Sequence, residues 1–351
     1  MKKIAFVCLF ICLVIFAKGQ SDFSKCYNEA AAMIDAGKYS DAVKKLSQAI
    51  GYKDEVKNKY KIVDAYIYRG YCKYKLKSNK AALEDFDIAM EMKPEYVKTY
   101  LFKSYVYVAE KKYDKNIENL DQGLKYRPDD ADLLIAKANT YFSMKKYDDS
   151  NKILKSLIEV NPRELNAIKY LGNNFVHQKS WDSAVYWFGK AIEIDPLDFA
   201  SYYDMGIAKS YKKEFEAAKV DIEKAMKLDS ATIFVGYNNL GFFLKLEQKD
   251  YKGALEYFDK AISLEPKFSY AYSNRGYTKL MLGDIKGAYK DVKKSLELDN
   301  TNSYAYKNLA KIQVQDGKKK EACETLKKAL ELGYAETYDD EVDILLKENC
   351  K

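Results

Sequence analysis

A metal centre, an acid–base pair or an activated nucleophile needs particular side chains within reach of one another, and this chain supplies few of them. It has one histidine, His177, with no second histidine and no metal-ligand spacing around it. No glycine-rich phosphate loop, nucleophile elbow or CxxC occurs. Acidic groups such as Asp148-Asp149 and Asp339-Asp340-Glu341 read as solvated helix starts, where carboxylates favour the positive end of the helix dipole. His177 reads as structural or surface. The expectation is a protein that is not an enzyme, with no cofactor and no metal.

The cysteines are the other reactive groups, and the N-terminus bears on them. The segment MKKIAFVCLFICLVIFAKGQ places Lys2 and Lys3 before an apolar run from Ile4 to Ala17, then Ala17-Lys18-Gly19 as a small-x-small cleavage site. That predicts a signal peptide over residues 1–19, and export to the periplasm, the medium or the cell surface. Read as a membrane anchor, the run would reach only about 21 Å at 1.5 Å per residue, against a hydrocarbon core of roughly 30 Å. Cys26 is not preceded by a small-residue lipobox. Cleavage would remove Cys8 and Cys12 and leave Cys26, Cys72, Cys323 and Cys350, an even count that permits disulfides in an exported chain. It would also remove three lysines and no acid, so the net charge falls from +7 to +4, too little to imply nucleic acid. No integral membrane span is expected after cleavage.

What remains must act by shape, so the elements matter. RGYCKYKL (residues 69–76) returns as RGYTKLML (275–282), and Pro94, Pro128, Pro162 and Pro196 recur every 34 residues. Proline cannot continue a helix and pushes its predecessor out of the α region, so each marks a helix end. The next steps fall on Ser230, on Pro266 after 36 residues, on Asn300 and on Tyr334. A large residue and then a small one recur four apart (Tyr66 and Gly70, Tyr202 and Gly206, Tyr272 and Gly276), and a second set is mostly alanine seven apart (Ala184 and Ala191, Ala254 and Ala261). Residues at these spacings share a helix face, and small ones let two antiparallel helices approach closely. Each period is therefore a helix hairpin, and 34 residues is the period of a helix-turn-helix solenoid.

The unit YNNLGFFLKLEQKDYKGALEYFDKAISLEP (residues 237–266) resembles the tetratricopeptide repeat family: Tyr237, Leu240-Gly241, Ala254, Phe258 and Pro266 stand where its pattern has W, L-G, A, F and P. Two departures stand out. This unit has an extra residue, placed in the turn near Gln248 to Lys249, and Lys73, Lys209 and Lys279 replace a usual aromatic. The resemblance implies an all-α, right-handed superhelical solenoid of about nine repeats over residues 20–336. The first repeat (23–54) is degenerate, with a polar insert near 53–61, and a capping helix occupies residues 337–351. In that helix, read from Tyr338, Val342, Leu345 and Leu346 would face inward.

The resemblance also implies that the first helix of each hairpin lines a concave surface. The residues placed there are Tyr68, Tyr71, Tyr74, Phe102, Tyr105, Asn139, Lys169, Asn173, Tyr203, Asn238, Asn274, Tyr277 and Lys307. Tyrosine and asparagine suit peptide contacts, although core packing explains many of the 32 tyrosines equally well. Lys169 and Asn173 match the start of the family's carboxylate clamp, but Asp204 stands where asparagine is needed and would repel a carboxylate. The expected function is a scaffold binding a protein partner, with an envelope complex as one setting; the alternative is a surface glycan-binding protein using the same tyrosines. Cys323 and Cys350 would clip the cap to the last hairpin. Cys26 and Cys72 lie on neighbouring first helices but offset along the axis, so a bridge competes with buried reduced thiols.

Overall fold

A computed structural model describes residues 21–338 and 340–350; the signal peptide expected over residues 1–19 lies outside them. Among the described residues there are helices and no strands. The chain is an α-solenoid of helix hairpins that divides into two compact units, one ending at Asn174 and one starting at Phe175.

In the first unit, residues 21–35 (α1) pair with α2 (Tyr39–Gly51). Then come α3 (Lys59–Lys75) with α4 (Asn79–Met92), α5 (Lys98–Ala109) with α6 (Tyr113–Tyr126), and α7 (Ala131–Ser143) with α8 (Tyr147–Val160). Helix α9 (Leu165–His177) begins here and ends in the second unit. The second unit holds α10 (Trp181–Ile194), α11 (Phe199–Tyr211), α12 (Phe215–Leu228), α13 (Ile233–Asn239), α14 (Tyr251–Leu264), α15 (Ser269–Met281), α16 (Ile285–Leu298), α17 (Ser303–Gln315), α18 (Lys319–Glu331), α19 (Tyr334–Thr337) and α20 (Glu341–Asn349). First helices also touch one another, α3 on α5 and α5 on α7 in the first unit, α13 on α15 and α15 on α17 in the second. Each unit thus has a face made of first helices.

The periodic small residues sit where two helices meet. Ala82, Ala184, Ala218, Ala254, Ala288 and Ala322 are all fully buried, as are Phe86, Phe188 and Phe258. At Gly276 an added Cβ would lie 2.6 Å from Val292 Cγ2 and 3.1 Å from the Ala288 carbonyl oxygen. A β-branched valine in a helix has one strongly preferred rotamer and cannot swing aside. Gly276→Val is therefore expected to lower the stability of the α15–α16 hairpin by about 1–3 kcal/mol, read as lost hydrogen-exchange protection in those two helices.

The hairpin turns share one geometry. A left-handed residue closes each, Gly37, Lys77, Lys111, Lys145, Lys179, Lys213, Lys249, Gly283 and Gly317, six of these nine being lysine. At Lys213 its N–H donates to the Ser210 carbonyl and that of Glu214 to the Lys209 carbonyl, two bonds that satisfy the end of α11. Lys249 and Asp250 bond to Leu246 and Lys245 in the same way. The extra residue near Gln248 to Lys249 therefore does not lie in the turn. It is absorbed upstream, where α13 runs into a π-helical segment, Leu240–Leu246, whose wider turns take up one residue. Gly206 to Gly241 is 35 residues and Ala218 to Ala254 is 36, so the other added residue falls before Gly241. A short 3-10 turn, Ser230–Thr232, stands there in place of the usual proline turn.

The polar insert after α2 is ordered by a 3-10 turn, Lys53–Glu55, and by buried Val56; Asn58 then caps α3 by accepting from the Tyr60 N–H at 3.0 Å. At the other end, the capping helix starts at Glu341 rather than Tyr338. Gly333 adopts a left-handed conformation (φ 78°) and breaks the chain before α19, and the Tyr338 ring packs on Tyr334 and Tyr304 at 5.0 and 5.4 Å instead of joining a helix. Val342 is fully buried, with Leu345 and Leu346 packed beside it.

Candidate functional site

The repeated phrase RGYxxxx serves an ion cluster. In α3, Arg69 donates from Nε and Nη2 to Asp85 of α4 at 2.9 and 2.7 Å, and Lys73 Nζ reaches the same carboxylate at 2.8 Å. In α15, Arg275 does so to Asp291 of α16 at 2.8 and 2.7 Å, with Lys279 at 2.7 Å. Asp85 and Asp291 are buried, so each carboxylate depends on both cations for compensation. Lys209 pairs with Asp221 at 2.6 Å, and burial still lifts the Asp221 carboxyl above its ordinary range. The lysines that depart from the aromatic pattern, Lys73, Lys209 and Lys279, are thus each matched by an aspartate twelve residues on. A second rung runs backward sixteen residues: Arg275 to Asp259, Lys137 to Asp121 and Lys103 to Asp87. These clusters hold hairpins together.

In the first unit four of the expected surface residues come together. Tyr68 meets Phe102 edge-on at 6.0 Å, Tyr71 meets Phe102 at 5.5 Å, and Phe102 meets Tyr105 at 5.6 Å. Tyr27 on α1 extends the row to Tyr68 at 6.2 Å. Lys98 lies 4.5 Å from the centre of the Tyr68 ring, donates to its hydroxyl at 2.9 Å and pairs with Asp64 at 3.2 Å, so one end of the row is cationic over an aromatic face. Tyr68, Tyr71 and Phe102 are half-buried and Tyr105 is 40% exposed, which makes a continuous ring surface open to a partner. Tyr74, outside the row, packs against the core of this unit, as do the inner sides of Tyr68 and Phe102. Asn139, Lys169 and Asn173 are half-buried on α7 and α9. Among the described residues, the Asn139 and Asn173 side chains carry no hydrogen bond within the chain, which leaves their donors and acceptors for a ligand.

The expected residues of the second unit fare differently. Asn274 is buried and donates to Asn238, also buried, at 3.0 Å, and Asn239 donates to the Tyr203 hydroxyl. These polar side chains tie successive first helices together. Lys307, placed on the binding surface by the sequence, is only 4% exposed: its ammonium pairs with Glu341 of the capping helix at 2.9 Å and lies 4.1 Å from the centre of the Tyr304 ring. Lys311 reaches the same Glu341 carboxylate and stands 4.9 Å from the Tyr277 ring. Asn238, Asn274 and Lys307 are therefore corrected from partner contacts to internal ones, because the next helix along the stack already occupies their polar atoms. What the sequence reading missed was Glu341, placed among helix-start acids; its signal was the pair of lysines four apart on α17.

Cys323 and Cys350 form the expected disulfide, Cα atoms 5.7 Å apart, linking α18 to the end of α20. The bridge considered for Cys26 and Cys72 does not form. Cys72 is fully buried and its thiol is pushed up to about 12 by burial, while Cys26 Sγ turns to Gln48 Oε1 at 4.0 Å on α2, as their offset along the helices requires. No described helix is long and apolar enough to cross a membrane, and no described group of three His, Cys, Asp or Glu could hold a metal ion.

Residues 107–172 match one tetratricopeptide repeat profile, and residues 199–232, 236–268 and 303–332 match another. Among curated proteins nothing matches the chain. Among solved structures it is similar to a tetratricopeptide repeat protein from Parabacteroides merdae, with 18% identity and a TM-score of 0.62 over 73% of this chain and 99% of that one. It is also similar to the APC/C hetero-tetramer Cut9-Hcn1, with 13% identity and a TM-score of 0.54 over 94% of this chain and 76% of that one. At these identities the likeness is one of fold. Hairpins with buried alanines at the interhelix contacts, the proline-ended period and the matched profiles agree: the matched stretches of this α-solenoid are tetratricopeptide repeats.

Proposed function

We propose that the protein is an exported, non-catalytic scaffold that binds a peptide segment or helix of a protein partner on the first-helix face of its first unit. The observation that carries this reading is the ring row Tyr68, Tyr71, Phe102 and Tyr105, which offers apolar area at low entropic cost and stays half-buried to exposed, whereas Asn238, Asn274 and Lys307 of the second unit are buried. Export rests on the N-terminal sequence, and the disulfide between Cys323 and Cys350 suits an oxidising compartment. A protein partner is a common use of this fold, and we single out no acid–base constellation among the described residues.

The test is affinity capture from the envelope of the exporting cell with residues 20–351, beside a variant carrying Tyr71→Ala, Tyr105→Ala, Lys169→Ala and Asn173→Ala. One protein is expected to be held by the first and lost, by tenfold or more, from the second, with unchanged helical circular dichroism. Identical capture by both sinks this assignment of the face. Tyrosine quenching by soluble polysaccharide, with no effect of peptides, would favour the glycan reading of the same rings.

A further inference from the structure

At the N-terminal end of the first unit there is a cavity of about 150 Å³ lined by Tyr27, Ala31, Ile34, Asp35, Leu46 and Tyr68. Fully buried Leu46 forms its floor, half-buried Tyr27, Ile34 and Tyr68 its walls, and exposed Ala31 and Asp35 its mouth. It shares Tyr27 and Tyr68 with the ring row and so continues that surface. An apolar cavity of about this size holds a benzene-sized group.

The mouth is acidic. Asp35 makes no ion pair and accepts no hydrogen bond among the described residues. Two lysines on the flanking helices are committed elsewhere, Lys45 to Glu29 at 2.6 Å and Lys98 to Asp64 at 3.2 Å. A ligand that fills the cavity with a ring would bring its neighbouring atoms beside the Asp35 carboxylate and the Tyr27 ring, both of which favour a cation, on the side away from Lys98, which already stands over Tyr68. A neutral ring would satisfy only the walls.

We propose that this cavity anchors an aromatic or bulky apolar side chain that stands next to a positive charge, such as a hydrophobic first residue with its free ammonium. The apolar group rests on Leu46 between Ile34 and the tyrosines, and the ammonium pairs with Asp35. This rests on the partner-binding reading of the first unit and names the chemistry of one end of the bound segment.

Phenylalaninamide, which carries both ring and ammonium, is the probe, and N-acetylphenylalaninamide, which keeps the ring and loses the charge, is its control. Titrated into the full chain and followed by NMR shifts, phenylalaninamide is expected to saturate with changes at Tyr27, Ile34 and Leu46, and the acetylated form to bind about tenfold more weakly. Asp35→Asn, a substitution at an exposed site, is expected to remove that difference and leave binding of the acetylated form unchanged. Equal affinity of the two probes for the unaltered chain, or no saturable shift with either, overturns the proposal. Partner capture separates this from the parent reading. A partner lost by the Tyr71 and Tyr105 variant while neither probe binds overturns the cavity alone, and probe binding as expected upholds the cavity even if no partner is captured.

Discussion

Asp291→Ala is expected to destabilise the second unit by about 3–5 kcal/mol, the largest effect of any single polar substitution in it. The carboxylate is buried and is gripped by Arg275 through two hydrogen bonds and by Lys279 through a third. Truncation leaves two cations crowded against an apolar hairpin, with only Asp259 to face Arg275. Burial alone would lower the Arg275 pKa; in the unaltered chain Asp291 and then Asp259 more than reverse it, so the truncation removes the larger of the two supports of a guanidinium that stays charged. The measurement is native-state hydrogen exchange in α15 and α16, because repeat arrays open in pieces and a global midpoint can average over them. Loss of protection confined to these helices and their neighbours is expected, with the same result for Asp85→Ala in α3 and α4. Protection unchanged within about 1 kcal/mol would mean the cluster is dispensable. Replacing Arg275, Lys279 and Asp291 together by leucine or methionine is expected to recover most of the loss, since a packed apolar set needs no charge compensation.

Reduction of the Cys323–Cys350 disulfide by a dithiol is expected to cost the C-terminal cap about 3 kcal/mol, from restored freedom of the loop it closes. Helix α20 has little else: one fully buried residue, Val342, the flanks of Leu345 and Leu346, and Glu341 between two lysines. The reduced cap should therefore show pH dependence that the oxidised cap masks. Burial alone would raise the Glu341 pKa, but Lys307 and Lys311 outweigh it and hold the carboxyl below its ordinary range. A depressed carboxyl stabilises the fold above its unfolded pKa and loses that contribution as pH falls through its folded pKa. Burial likewise works to lower the Lys311 pKa, and Glu341 and Tyr277 leave it raised, so its contribution is lost only as pH climbs above the ordinary lysine range. Between the carboxylate and lysine ranges the reduced cap should stay docked, and it should detach in acid. Exchange of the α20 amides checks this, with Glu341→Gln as the comparison. If reduction and acid together leave α20 as protected as in the oxidised chain, the apolar contacts alone hold it.

Much of the fold was legible because its signals are local and recur. The proline period, the four- and seven-residue spacing of small residues and the 36-residue step each report on backbone that must repeat if hairpins are to stack. The clusters at Asp85, Asp221 and Asp291 were not legible: a lysine in an aromatic position reads as a departure until the hairpin brings an aspartate twelve residues on into contact with it. The extra residue went to a turn because loops tolerate insertion, whereas here the left-handed lysine turn was kept and the helix widened over Leu240–Leu246. Of the expected surface residues, Tyr68, Tyr71, Phe102 and Tyr105 on α3 and α5 come together, while Asn238, Asn274 and Lys307 are taken up inside. A polar residue on a first helix can face a ligand or the adjacent first helix, and sequence spacing is the same for both.

The six left-handed lysines have a consequence for how the stack could be taken apart. Lys77, Lys111, Lys145, Lys179, Lys213 and Lys249 are all exposed, and each sits in the turn between the two helices of its hairpin, three of them beside a second turn lysine, Lys112, Lys146 or Lys212. A lysine-specific protease therefore has at least one scissile turn bond in six of the hairpins, and the turns differ in how readily the surrounding backbone opens rather than in the chemistry of cleavage. Brief digestion would cut first where opening is easiest, so the order in which fragments appear reads off the relative stability of individual repeats without a label or a substitution.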